Sequence, residues 1–81
     1  MAERYEYLVC QVQSSRVTFV NGAWAGTVEP AADNHEAALA SCAQVWDYLQ
    51  QAGGEGWELV GAYGLPTSHE TLERLLLKRA Y

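Results

Sequence analysis

The stretch Gly53-Gly54-Glu55-Gly56-Trp57-Glu58-Leu59-Val60-Gly61 packs four glycines, two carboxylates and a tryptophan into nine residues. Its neighbours decide how it reads. Upstream, Leu39, Cys42, Trp46 and Leu49 recur at steps of three and four, with Ala38, Val45 and Ala52 widening the apolar stripe. Ser41, Gln44, Tyr48 and Gln51 form the wetter face. This predicts one helix over residues 34–52, ended by Gly53-Gly54 in the left-handed conformation that glycine adopts most readily. Asp33 followed by Glu36 matches a capping-box start. Downstream, residues 57–63 predict a strand with Trp57, Leu59 and Tyr63 on one face. The glycines are then the bend between helix and strand, with Gly56 permitting a second sharp turn before Trp57.

Working outward, residues 4–13 alternate as a strand. Leu8, Cys10 and Val12 face one side, and Tyr5, Tyr7 and Val9 face the other. Both sides are apolar, so this strand lies between two layers or at an interface. Asn21-Gly22 between β-branched and aromatic residues predicts a type I′ hairpin pairing Val20 with Ala23, Phe19 with Trp24, and Val17 with Gly26. The tail has two readings. Ser68 can cap a helix in which Glu70 pairs with Arg74 and Leu72, Leu75 and Leu76 form a stripe. The run Leu75-Leu76-Leu77 equally suits a buried strand, and local propensity leans to the helix.

These pieces together resemble a small bacterial family of domains of unknown function. They are a tyrosine-rich opening strand (Tyr5-Glu6-Tyr7), a helix ending Gly53-Gly54-Glu55-Gly56, then Trp57-Glu58-Leu59-Val60, and a tail closing on Lys78-Arg79. The similar segments are 5–9, 49–60 and 75–79. The Asn21-Gly22 hairpin and the linker at 64–68 look like elaborations. The resemblance implies an α+β fold, an antiparallel sheet of four to five strands packed against one amphipathic helix, with the tail as a strand. No biochemical role is established for that family, so it transfers no catalytic residue.

Eighty-one residues make a single domain, 1–81, and a chain this short buries only about 60–65% of its unfolded surface. Yet 49% of the residues are apolar and three are tryptophan. This surplus predicts a surface that faces a partner, most simply a second copy of the chain. The net charge of −5 argues against nucleic acid, which calls for a broad basic face. No apolar run approaches the roughly 20 residues of a bilayer span, and residues 1–9 carry no export signal. The expected location is the bacterial cytoplasm. Cys10 and Cys42 lack metal-site or redox spacing and read as two buried thiols, with a disulfide as the minority alternative.

Chemistry finds little footing. Glu55 and Glu58 read as a turn residue and a strand residue, and His35 and His69 as solvated loop groups without further metal ligands nearby. Ser14, Ser15, Ser41 and Ser68 lack a glycine-flanked elbow. The expectation is a non-catalytic protein without cofactor or metal, an oligomeric interaction or accessory module. The alternative is a protein binding a nucleotide-like or other anionic metabolite. The candidate interface or ligand residues are Tyr5, Tyr7, Trp24, Trp57, Tyr63, Arg74 and Lys78. Trp46 and Trp57 are expected in the core, Trp24 on a projecting hairpin. Arg74 and Lys78 share a strand face, with Arg79 opposite. An enzyme would require assembly to bring Glu58, His69 and Cys10 together across a seam.

Overall fold

The computed structural model of the protein describes residues 4–67 and 71–81. Five strands, β1 (Tyr5–Gln13), β2 (Arg16–Val20), β3 (Ala23–Trp24), β4 (Glu58–Pro66) and β5 (Thr71–Ala80), form one antiparallel sheet in the order β3-β2-β1-β5-β4. Two helices, α1 (His35–Ala40) and α2 (Val45–Gly54), lie between β3 and β4 in the chain. The tail is a strand. It is the long partner of β1, paired from Tyr5 with Ala80 to Val12 with Glu73. Burial overrides local helix propensity here: Leu75 and Leu77 on one face of β5 are both buried. Ser68, His69 and Glu70 lie outside the described residues, so the capping, pairing and solvation expected of them do too.

The sheet has a covered and an open face. Leu8, Cys10 and Val12 of β1, Val17 and Val20 of β2, and Leu75 and Leu77 of β5 meet Val45, Tyr48, Leu49 and Ala52 of α2, with Trp57 beside them. Those four α2 positions are spaced i, i+3, i+4, i+7; Val45, Leu49 and Ala52 belong to the predicted stripe, and Tyr48 replaces Trp46 in it. The cause is a break in the predicted helix. At residues 41–44 the chain bonds to the outer edge of β2: Val17 N–H donates to Ala43 O (2.9 Å), Val45 N–H donates to Ser15 O (2.8 Å), and Arg16 bridges Gln44. Backbone committed to that edge cannot also continue a helix. Trp46 turns outward at 56% exposure, and Tyr48, assigned to the wet face, packs on the core. The start of α1 also differs. Asn34, not Asp33, is the N-cap. No side-chain cap forms, because the Asn34 amide instead accepts from Ala31 N–H (2.6 Å) and donates to Glu29 O (2.9 Å).

The glycine-rich bend is a helix stop, but its left-handed residue is Gly56 (φ 92°), two positions later than predicted. Gly53 and Gly54 are the last residues of α2. Gly56 N–H donates to Gly53 O (3.1 Å) and Trp57 N–H to Ala52 O (3.0 Å), the paired bonds of a Schellman motif. Trp57 and Ala52 supply its apolar contact within the core. A bulge at Val60 then alters the alternation, so that Leu59 pairs with Leu77 and Tyr63 with Arg74, on opposite faces rather than the shared one predicted.

The Asn21-Gly22 turn has both residues at positive φ (50° and 83°), and Phe19 and Trp24 pair edge to face at 5.3 Å. The predicted Val17–Gly26 pair does not form. β3 ends at Trp24, and Gly26 passes so close to Ser41, Trp24 and Cys42 that a Cβ there would collide with them. A second two-residue turn, Ser14-Ser15, was not legible from composition. Both serines are left-handed (φ 51° and 62°), at a cost of about 1–2 kcal/mol each. Replacing Ser15 with glycine is therefore expected to stabilise the protein by about 0.5–1 kcal/mol, after the greater chain entropy of unfolded glycine is deducted. A chemical melt of Ser15→Gly with an unchanged or lower midpoint would contradict this.

Candidate functional site

The open face is where the predicted candidates gather. Strand pairing places Tyr5, Tyr7, Val9 and Gln11 of β1 beside Lys78, Leu76 and Arg74 of β5, which in turn adjoin Glu58, Gly61 and Tyr63 of β4. Leu72 and Leu65 extend the patch. α2 covers only the other face. Tyr7 is 60% exposed, and Val9, Tyr63 and Leu65 are also exposed. The radius of gyration is 13.8 Å, against about 12 Å for a compact domain of this length. The accessible surface is 5583 Å², where a monomer of 8.9 kDa has about 4800 Å². The molecule is elongated, with principal extents of 52 × 26 × 19 Å, and this raises both values.

Two cations stand in this apolar field. Lys78 Nζ lies 4.6 Å from the Tyr5 ring centroid, and Arg74 Nη1 donates to the Tyr63 hydroxyl at 3.3 Å. A shallow groove of about 450 Å³ runs between Val9, Gln11, Phe19 and Arg74. Five of the seven predicted candidates, Tyr5, Tyr7, Tyr63, Arg74 and Lys78, thus gather on the β1-β5-β4 part of one face. Trp24 is on that side of the sheet too, through Phe19, which pairs with Gln11, but stands apart at the edge, and Trp57 is not on it. Trp24 sits on the far edge strand, its indole N–H donating to Val28 O at 2.8 Å. Trp57 packs against the covered side. Leu72 and Leu76 were not among the candidates. Their signal was the even-numbered register of a tail strand, hidden while that tail also read as a helix.

The opening motif resolves at Arg79, on the covered face. Its guanidinium lies 4.4 Å from the Trp57 ring centroid, donates to Glu55 O at 3.0 Å, and pairs with Glu6 Oε1 at 2.7 Å. A Cβ on Gly56 would touch Arg79 Cδ at 3.3 Å. Tyr5-Glu6-Tyr7, Glu55-Gly56-Trp57 and Lys78-Arg79, the segments that carry the resemblance, therefore meet around one side chain. Their arrangement is a structural clasp. The chain matches no known family, curated protein or solved structure.

The remaining chemical candidates are dispersed. Glu55 and His35 are exposed, at the end of α2 and the start of α1. Glu58 lies on the open face, whereas Cys10 is sealed beneath α2, so within one chain they do not meet. Among the described residues no group of three or more His, Cys, Asp or Glu is placed to hold a metal ion. No described helix is long and apolar enough to cross a membrane.

Cys10 and Cys42 are both buried, free thiols. Burial pushes the Cys10 thiol above its ordinary pKa, opposed by a hydrogen bond with Tyr48, whose own pKa is raised by its burial and by that bond. Burial likewise raises Cys42, against the Arg16 charge and a Ser41 hydrogen bond. Neutral, enclosed thiols are poor nucleophiles. Two thiols per chain are therefore expected to titrate in denaturant and essentially none within minutes in the native protein at pH 8. Rapid native labelling of either would contradict the packing.

Proposed function

We propose that the protein is a non-catalytic interaction module that self-associates through the open face of its sheet. The observation that carries this is the uncovered patch of Tyr7, Val9, Leu72, Leu76, Tyr63 and Leu65, continuous across three strands. Exposed apolar surface of this extent is a liability on an isolated monomer. The charges suit a second copy. Arg74 and Lys78 share the face with Glu58, so a twofold axis through the patch can set cations of one copy against the carboxylate of the other. The setting is the bacterial cytoplasm, in keeping with the resemblance to small bacterial domains and with two free thiols.

Light scattering coupled to size exclusion at micromolar concentration is expected to give twice the 8.9 kDa chain mass, falling toward the chain mass on dilution. A monomer throughout would count against the proposal. A second reading rests on the Tyr63–Arg74 pair and the adjacent groove, which together fit a small anionic metabolite such as a nucleotide. Nucleotides that raise the melting temperature without altering the mass would favour that reading.

A further inference from the structure

A second cavity, of about 230 Å³, lies on the other side of Phe19, between the β2–β3 hairpin and α1. Phe19 and Trp24 form one wall, Ala38 and Leu39 the other, and Gln13, Ser14, Thr18 and His35 supply the polar lining. Three features set it apart from a surface dimple. Thr18 is a polar residue buried to 1% exposure. It is also the extra residue of a bulge in β2, skipped where Gln11 pairs with Phe19 and Val12 with Val17. Bulges re-aim side chains and are over-represented beside functional sites.

Next, Thr18 belongs to an ordered polar cluster. Its Oγ1 is 3.0 Å from Gln13 Oε1 and 3.3 Å from Gln11 O, and Gln11 Nε2 donates to Gln13 Oε1 at 3.1 Å. The hydroxyl's single proton goes to one of those oxygens, which leaves the hydroxyl oxygen with acceptor capacity. Finally, the irregular chain closing the cavity is tied down. Trp24 bonds to Val28 O, Val28 N–H to Ser41 Oγ (3.1 Å), and Asn34 clasps Ala31 and Glu29. The walls are thus preformed, as in small-molecule sites.

The geometry points to a binding site for a small neutral aromatic molecule carrying one hydrogen-bond donor, held between Phe19, Trp24 and Leu39 with its donor on Thr18. The size fits one or two fused rings, since an apolar cavity of about 150 Å³ already takes benzene. No Lys, Arg, Asp or Glu lines the space among the described residues, and His35, the titratable residue of the lining, is exposed to solvent, so a charge on the ligand finds no buried counter-charge. The cavity shares Phe19 with the groove of the open face but otherwise uses none of the residues of the patch proposed for self-association.

Thermal shift with phenol, indole, toluene and benzoate tests it on the intact chain. Phenol and indole at tenfold over their dissociation constants are expected to raise the melting temperature by about 6–10 °C, and benzoate not at all. Thr18→Val should weaken phenol at least tenfold while sparing toluene. Leu39→Trp, which fills the cavity from a partly exposed position, should abolish both. No shift with phenol or indole up to their solubility limits would overturn the proposal. So would a benzoate shift as large as theirs, or full binding by Leu39→Trp.

Discussion

Arg79→Ala is expected to destabilise the protein by about 2 kcal/mol, lowering its melting temperature by roughly 10 °C. Three contacts go at once. The stack on Trp57 contributes about 0.5–1 kcal/mol. The pair with Glu6, about a third exposed on both sides, contributes no more than a surface salt bridge, about 0.2–1 kcal/mol. The charged bond to Glu55 O fastens the end of α2 to the last strand and adds about 1 kcal/mol. Arg79→Lys separates charge from shape. A lysine keeps the attraction to Glu6 but loses the planar stack and the fork, so it should recover less than half the loss. A urea melt in which Arg79→Ala matches the wild type would remove the clasp as the reason these sequence segments go together.

The second large effect concerns association. Val9→Glu places a carboxylate in the middle of the open face, where Val9 pairs with Leu76. In a free monomer that side chain is exposed, so the expected change in stability is under about 1 kcal/mol. Across a closed interface it meets its own twofold copy and an apolar surface, and the unpaired charges should weaken the dimer about 100-fold or more. The diagnostic result is a variant that melts like the wild type yet runs as a monomer. If Val9→Glu assembles as the wild type does, the open face is not the interface.

Much of this fold could be read from local chemistry. Asn21-Gly22 fixed its turn because both positions need positive φ, and alternation in β1 assigned Leu8, Cys10 and Val12 to one face correctly. What failed was non-local. Nothing within residues 34–52 reveals that residues 43–45 bond to the edge of β2, yet that bond splits the helix and turns Trp46 out in favour of Tyr48. The bulges at Thr18 and Val60 are equally silent in sequence, though each reassigns neighbouring side chains. The candidate site was legible in part for the same reason. Tyr5, Tyr7, Arg74 and Lys78 follow from strand alternation and Tyr63 from its pairing with Arg74, but Trp24 was grouped with them for its place on a hairpin and Trp57 for its residue type. Their positions depend on strand order, which no single segment encodes.

Oxidative footprinting of the wild-type protein, compared above and below the concentration at which its mass halves, addresses the central claim directly. Tyr7 and Tyr63 lie on the open face, while Trp46 and Tyr81, 56% and 73% exposed, lie off the patch and serve as internal references. The predicted result is slow modification of Tyr7 and Tyr63 at high concentration, rising on dilution to the reference rates, with Trp46 and Tyr81 unchanged throughout. Tyr7 and Tyr63 modified as fast as Tyr81 at every concentration would contradict it.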